Sequence, residues 1–295
     1  MDAAHTQCIQ ISPQALLIAL PDGRCWLLGV GSSEITSLAV TAVAAERSSL
    51  AASAVEGAIV AGLAGTGDAP AHRPYTLPRY LRWLAGNCVF AGQTPGLFRR
   101  AAARFEALGR PDLAEFACKK AEEEDGHANL AYRDIAALGL PAAETIRLIR
   151  PPSADAFAAR FRSYVESSEP IALFGFSYCL ERMALARDED FVRNVQAICP
   201  PQTRAIRFLK VHSSIGSDSA HVHEQLAFFE TLDGAALANV ARAAFETAEM
   251  LTQQLQMDRA LTDEEIGLRL GRADIAVPSA QADAGEDPTR DNGMI

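Results

Sequence analysis

The sequence is short of paired cysteines, of basic excess and of long apolar runs. Its six cysteines, Cys8, Cys25, Cys88, Cys118, Cys179 and Cys199, are spread through 295 residues with no Cys-x-x-Cys pair. That spacing excludes a zinc ribbon or a thioredoxin-type redox motif and leaves small buried thiols in a reducing compartment. The 27 Lys and Arg are outnumbered by 37 Asp and Glu, a formal net charge of −10, which excludes nucleic acid as a default partner. No apolar stretch reaches the length of a membrane span without interruption by charge. The start, Met1-Asp2-Ala3-Ala4-His5, has no basic segment leading into an apolar run, so the expectation is a soluble, cytoplasmic protein with no membrane partner. Aromatic residues make up only 7%, which with abundant Ala and Leu favours helices over a β-sandwich.

What is present is enough apolar content, 49%, to fill one large domain or two unequal ones. Residues 8–31 read as β-structure: Cys8-Ile9-Gln10-Ile11 alternates, and Pro21-Asp22-Gly23 is a strong turn signal between two apolar runs. Residues 33–64 are Ala-rich and helical in pattern, and residues 67–74 have linker composition. A hairpin followed by helices resembles the small winged-helix-like domain of PqqD-type peptide-recognition proteins, over about the first 65 residues. The resemblance implies a peptide partner. From residue 77 to 257 the pattern is helical throughout. Residues 112–138 read as a single long helix between Pro111 and Gly139, and 235–256 as a last amphipathic one. Residues 261–270 can form a short helix, and 276–295 are too poor in large apolar residues to fold. The expected organisation is a small α+β unit at 1–67, a linker at 68–76, a helical bundle at 77–257 and a largely disordered tail at 258–295.

Four of the six histidines lie in two short stretches, each mixed with carboxylates. The first runs Glu122-Glu123-Glu124-Asp125-Gly126-His127, and the second runs from His212 through Asp218 and His221 to His223. Between them Glu181 stands alone in an apolar segment. Imidazole with carboxylate is the ligand chemistry of iron, manganese and zinc. On a helix either Glu123 or Glu124 can share a face with His127, and Asp218 can share one with His221. A carboxylate on the apolar stripe of Glu181 costs several kcal/mol or more unless it meets a cation. Each signal taken alone has a plainer explanation: acidic runs are usually solvated, and an Asp and a His one turn apart can be an exposed pair. Three such signals on helices of one bundle point instead to a metal centre.

Residues 77 to about 250 resemble the heme-oxygenase-like iron-containing redox enzymes of the TenA/PqqC-type superfamily. The resemblance rests on Glu123-Glu124-Asp125-Gly126-His127, on the segment from Pro170 to Glu181, and on His212 through His221. It implies a mainly α, heme-oxygenase-like helical bundle behind the small α+β unit. It further implies a di-iron site of Glu124 (or Glu123), His127, Glu181, His212, Asp218 and His221, with about two Fe(II) per chain and O₂ as co-substrate. Two departures stand out. His212 and Asp218 are six residues apart where relatives have four, so the helix must break or widen near Gly216. Lys120 stands where some relatives place the first Glu.

The implied activity is oxidation of a small molecule by O₂, either N-oxygenation or C–C cleavage of an amino-acid-like or fatty-acid-like substrate. An electron donor and a homodimeric partner are compatible with it. Tyr178, one turn before Glu181, and Arg182 are expected to act as catalytic supports of the ligands. Two alternatives compete: a metal-free TenA/PqqC-like enzyme using Cys179 beside Tyr178, and a peptide-binding protein acting through the first unit.

Overall fold

The computed structural model describes residues 6–31, 35–38, 49–64 and 75–276. Four strands, β1 (Gln7–Ser12), β2 (Ala15–Ala19), β3 (Cys25–Gly29) and β4 (Ile35–Leu38), form an antiparallel meander in chain order. Alternation sets which face is buried: Ile9, Ile11, Leu17 and Ala19 all point into the core. Residues 35–38 thus extend the sheet rather than opening a helix; Cys25 pairs with Leu38 across β3 and β4. The β-branched Ile35 and Thr36 suit a pleated edge better than a helix start. The expected tail from 277 onward lies outside the described residues.

Helix α1 (Leu50–Ala64) follows, then α2 (Leu77–Ala91), α3 (Thr94–Ala107), α4 (Pro111–Glu123), α5 (His127–Ala137), α6 (Ala142–Ile149) and α7 (Pro152–Glu166). The chain continues through α8 (Ala172–Ala184), α9 (Glu189–Ile198), α10 (Arg207–Val211), α11 (Asp218–Phe229), α12 (Gly234–Asp258) and α13 (Asp263–Arg269). Prolines at the first turns of α2, α3, α4 and α7 mark helix starts, where a missing N–H is harmless. Among the described residues, no helix is long and apolar enough to cross a membrane.

Helix α1 is buried on nearly every side because it lies between the sheet and the long α12. Its small residues, Ala51, Ala52, Ser53, Ala54 and Ala58, allow both neighbours to approach. Glu56 is the charged side chain of α1, and Arg182 of α8 meets it.

The buried apolar residues form two clusters. One joins the sheet, α1, α3, α4, α7, α8, α11 and α12. The other joins α2, α5, α6, α9, α10 and α13. The histidine and carboxylate clusters of the sequence fall where these two bodies meet.

Candidate metal centre

The stretch expected as a single helix over 112–138 is broken at Gly126, whose φ is +84°. A left-handed residue ends α4, and the chain restarts as α5 at His127. The turn matters because it separates two adjacent glutamates. Glu124, just past the helix end, folds toward His127, with Oε2 3.1 Å from Nδ1. Glu123, still helical, faces the other way toward Lys120 and His221.

His212 arrives from another direction. Asp134 of α5 is fully buried and accepts the Phe208 backbone N–H at 2.8 Å and the Arg207 guanidinium at 3.0 Å, which anchors the first turn of α10. That short helix ends at His212. The Arg187 guanidinium donates to the His212 carbonyl at 3.2 Å, and the Arg187 carbonyl accepts the Ser214 N–H at 3.1 Å. The helix therefore breaks between His212 and Asp218, as their six-residue spacing requires, through a reversal rather than a widened turn. The imidazole Nδ1 ends 3.2 Å from Asp218 Oδ1, across the gap between α10 and α11.

The reversal depends on Gly216. A Cβ there would lie 2.1 Å from the Lys210 carbonyl oxygen and 2.2 Å from that of Val211. Both obstacles are backbone and cannot swing aside. Gly216→Ala is therefore expected to open the turn, cost about 1–3 kcal/mol from overpacking, and withdraw His212. Thermal melts together with a Mn(II) titration check this; unchanged metal affinity in a folded G216A protein would contradict it.

Glu124, His127 and His212 each offer a donor atom within 4.8 Å of the others. Donors bound at about 2.1 Å to one ion stand roughly 3–4 Å apart, so small rotamer changes close the set. Burial opposes charge on Glu124, yet the His127 hydrogen bond and the nearby His212, His127 and Lys120 hold its carboxyl down to about 2. His212 Nε2 is buried and has no hydrogen-bond partner. Its Nδ1 faces Asp218, so the open nitrogen is the one a metal would take. One ion fits this set.

Of the remaining candidates, Asp218 backs His212, while Glu123, Glu181 and His221 gather around a lysine. Lys120, 1% exposed, places Nζ 2.7 Å from Glu123 Oε2 and 2.9 Å from Glu181 Oε1. Glu181 also accepts from Gln225 Nε2 at 2.7 Å and Ser177 Oγ at 3.2 Å. His221 sits beside both carboxylates, 3.8 Å from Glu123 and 4.0 Å from Glu181. Burial alone would drive the Lys120 proton off, but Glu181 and Glu123 raise its pKa and keep it an ammonium. Burial pushes the Glu181 carboxyl up; Lys120 opposes this, while Glu124 and Asp218 add to it. Two ions do not fit the expected six residues as they stand, because the Lys120 ammonium occupies the space beside Glu181, between it and Glu123.

Tyr178 and Arg182 do not support Glu181. The Tyr178 hydroxyl bonds to Glu56, and Arg182 Nε donates to the same carboxylate at 3.0 and 3.1 Å. Both lie on the side of α8 that meets α1. His223 turns back onto its own helix, its Nδ1 2.7 Å from the Ser219 carbonyl. Residues that the pattern did not bring forward include Asp134, Gln225, Ser177 and Glu56. An isolated buried-pattern Glu56 inside the Ala-rich helix was the one available signal among them.

Two solved structures share this fold. A domain of unknown function with a heme oxygenase-like fold from Shewanella denitrificans aligns with a TM-score of 0.54 and 17% identity, covering 74% of this chain and 88% of that one. A TenA homolog from Pseudomonas syringae pv. tomato aligns with a TM-score of 0.53 and 15% identity, covering 72% and 91% respectively. No family model matches the chain, and no curated protein matches it. The protein has a heme-oxygenase-like fold, mainly α with a small antiparallel sheet at its start, as the resemblance implied.

Proposed function

We propose that Glu124, His127 and His212 hold one iron ion and that the protein is an O₂-activating oxidoreductase of a small molecule. The observation that carries this reading is the buried, unpartnered Nε2 of His212, set beside Glu124 and His127 and backed on Nδ1 by Asp218. Two imidazoles and one carboxylate are the donor set of non-heme iron oxygenases. Iron bound there supplies open positions for O₂ and an accessible redox couple.

The chain's own groups do the rest. Asp218 fixes the His212 tautomer and ring plane. Phe208 packs against the His212 ring at 4.4 Å, and His127 meets the same ring edge-on at 4.8 Å, so neither imidazole is free to rotate into water. Lys120 engages the Glu123 and Glu181 carboxyl groups at 2.7 and 2.9 Å, outside the three-residue set. The resemblance of the sequence implies an amino-acid-like or fatty-acid-like substrate, oxidised at nitrogen or at a C–C bond. Insertion of one oxygen atom would draw two further electrons from a donor.

A metal-free reading through Cys179 has less support. Cys179 is fully buried, and burial with the Glu56 charge drives its thiol far up, which keeps it protonated and unreactive.

Anaerobic Fe(II) titration followed by O₂-uptake measurement tests the proposal. It expects close to one iron per chain and iron-dependent O₂ consumption. Folded protein that binds no iron would overturn it. Asp218→Asn keeps the side-chain shape but weakens the grip on Nδ1–H, and should lower iron affinity by about 10–100-fold. Equilibrium competition with a chelator reads that loss; an unchanged affinity would remove Asp218 from the ligand support.

A further inference from the structure

We propose that Lys120 is a built-in cation standing where a second metal ion would otherwise bind, so that the chain is restricted to one ion. Three helices bring ligand-type side chains around it: Glu123 of α4 and Glu181 of α8 lie on its nitrogen, and His221 of α11 lies beside both carboxylates, 3.8 and 4.0 Å away. The side chain is 1% exposed, so its charge is matched by these groups and not by water. Glu181 is held in place independently by Gln225 and Ser177, and would keep its position without the lysine. His221 Nδ1 is buried without a hydrogen-bond partner and lies 4.0 Å from Glu181 Oε2, leaving a nitrogen donor on the same centre.

Charge counting agrees with this arrangement. Glu123, Glu124, Glu181 and Asp218 surround the seam, each with its side chain at most 16% exposed. One ammonium and one divalent ion would place positive charge among these four carboxyl groups. Removing the ammonium leaves two carboxylates and an imidazole converging on a cavity the size of a lysine head, which is the chemistry of a divalent-cation site. The inference extends the one-ion reading above, but its test counts a different ion.

The experiment measures Mn(II) content after saturation and desalting, in full-length wild type, Lys120→Ala, Lys120→Ala/His127→Ala and Lys120→Ala/Glu181→Gln. Lys120→Ala should carry one more Mn(II) per chain than wild type. The gained ion should persist with His127→Ala, which removes a ligand of the first ion, and disappear with Glu181→Gln. Mn(II) should also raise the melting temperature of Lys120→Ala/His127→Ala, a readout independent of activity. Folded Lys120→Ala with wild-type metal content would overturn the inference, as would two ions in the wild type. Should Lys120→Ala fail to fold without metal, Lys120→Glu expressed in Mn(II) supplies a third carboxylate for the same count. Failure of both variants to fold in saturating Mn(II) also overturns it, since the ion then cannot replace the ammonium. A wild type that binds neither Mn(II) nor Fe(II) and a Lys120→Ala with one Mn(II) would leave this inference standing and remove the proposed function.

Discussion

His212→Ala is expected to lower iron affinity by more than about 100-fold and to abolish iron-dependent O₂ uptake. Loss of a group behind a ligand already costs 10–100-fold, and here the ligand itself is lost. The size of the effect follows from how the residue is held. His212 is the last residue before a reversal, with its ring fixed by Phe208 and Asp218 and its carbonyl held by Arg187. Among the described residues no other histidine is placed to replace it, because His223 is bonded along its own helix and His221 is beside Glu123 and Glu181. His127→Ala should behave the same way, and His223→Ala should leave both affinity and uptake unchanged. Metal analysis, an oxygen electrode and circular dichroism on the three variants make the comparison. Full iron content in folded His212→Ala would show that the ion lies elsewhere.

Glu56→Ala is expected to destabilise the protein by about 3–5 kcal/mol, the usual cost of removing one partner from a buried ion pair. Glu56 is 1% exposed and accepts from both Arg182 and Tyr178. Truncation leaves the guanidinium, its side chain 16% exposed, with its charge unmatched and the Tyr178 hydroxyl without its acceptor. At about 2–4 °C per kcal/mol for a chain of this size, the melting temperature should fall by roughly 10 °C. Glu56→Gln should cost less, since an amide oxygen still accepts from the hydroxyl. Arg193→Ala is the control: its partners Glu189 and Asp190 are solvent-exposed, and such pairs are worth about 0–1 kcal/mol. A Glu56→Ala melt within 2–3 °C of wild type would show that water or a rearranged side chain replaces the carboxylate.

Much of the fold was legible because its signals are local. Prolines at first turns, the Pro21-Asp22-Gly23 turn and the alternation of Ile9 and Ile11 each act within a few residues, and the strands and helices follow them. The break at Gly126 was not legible. Apolar spacing continues through Ala131 and Ile135, and glycine is tolerated inside helices, so only the docking of α5 against the second apolar cluster decides its left-handed conformation. The sequence did show that His212 and Asp218 are too far apart for one helical face. How the chain reconciles them depends on Asp134 and Arg187, which are distant in sequence.

The sequence by itself determined the composition of the site: which carboxylates and imidazoles exist, and in which stretches of the chain they lie. The tertiary structure decided how they divide. In sequence, Lys120 reads as a departure where some relatives place a Glu, and Tyr178 and Arg182 read as neighbours of Glu181. Lys120 is instead drawn inside by Glu181, and Tyr178 and Arg182 turn to Glu56. The physical reason is the same in both cases. Periodicity is set by the backbone over one or two turns, whereas a buried charge is stable only beside its counter-charge, wherever in the chain that lies.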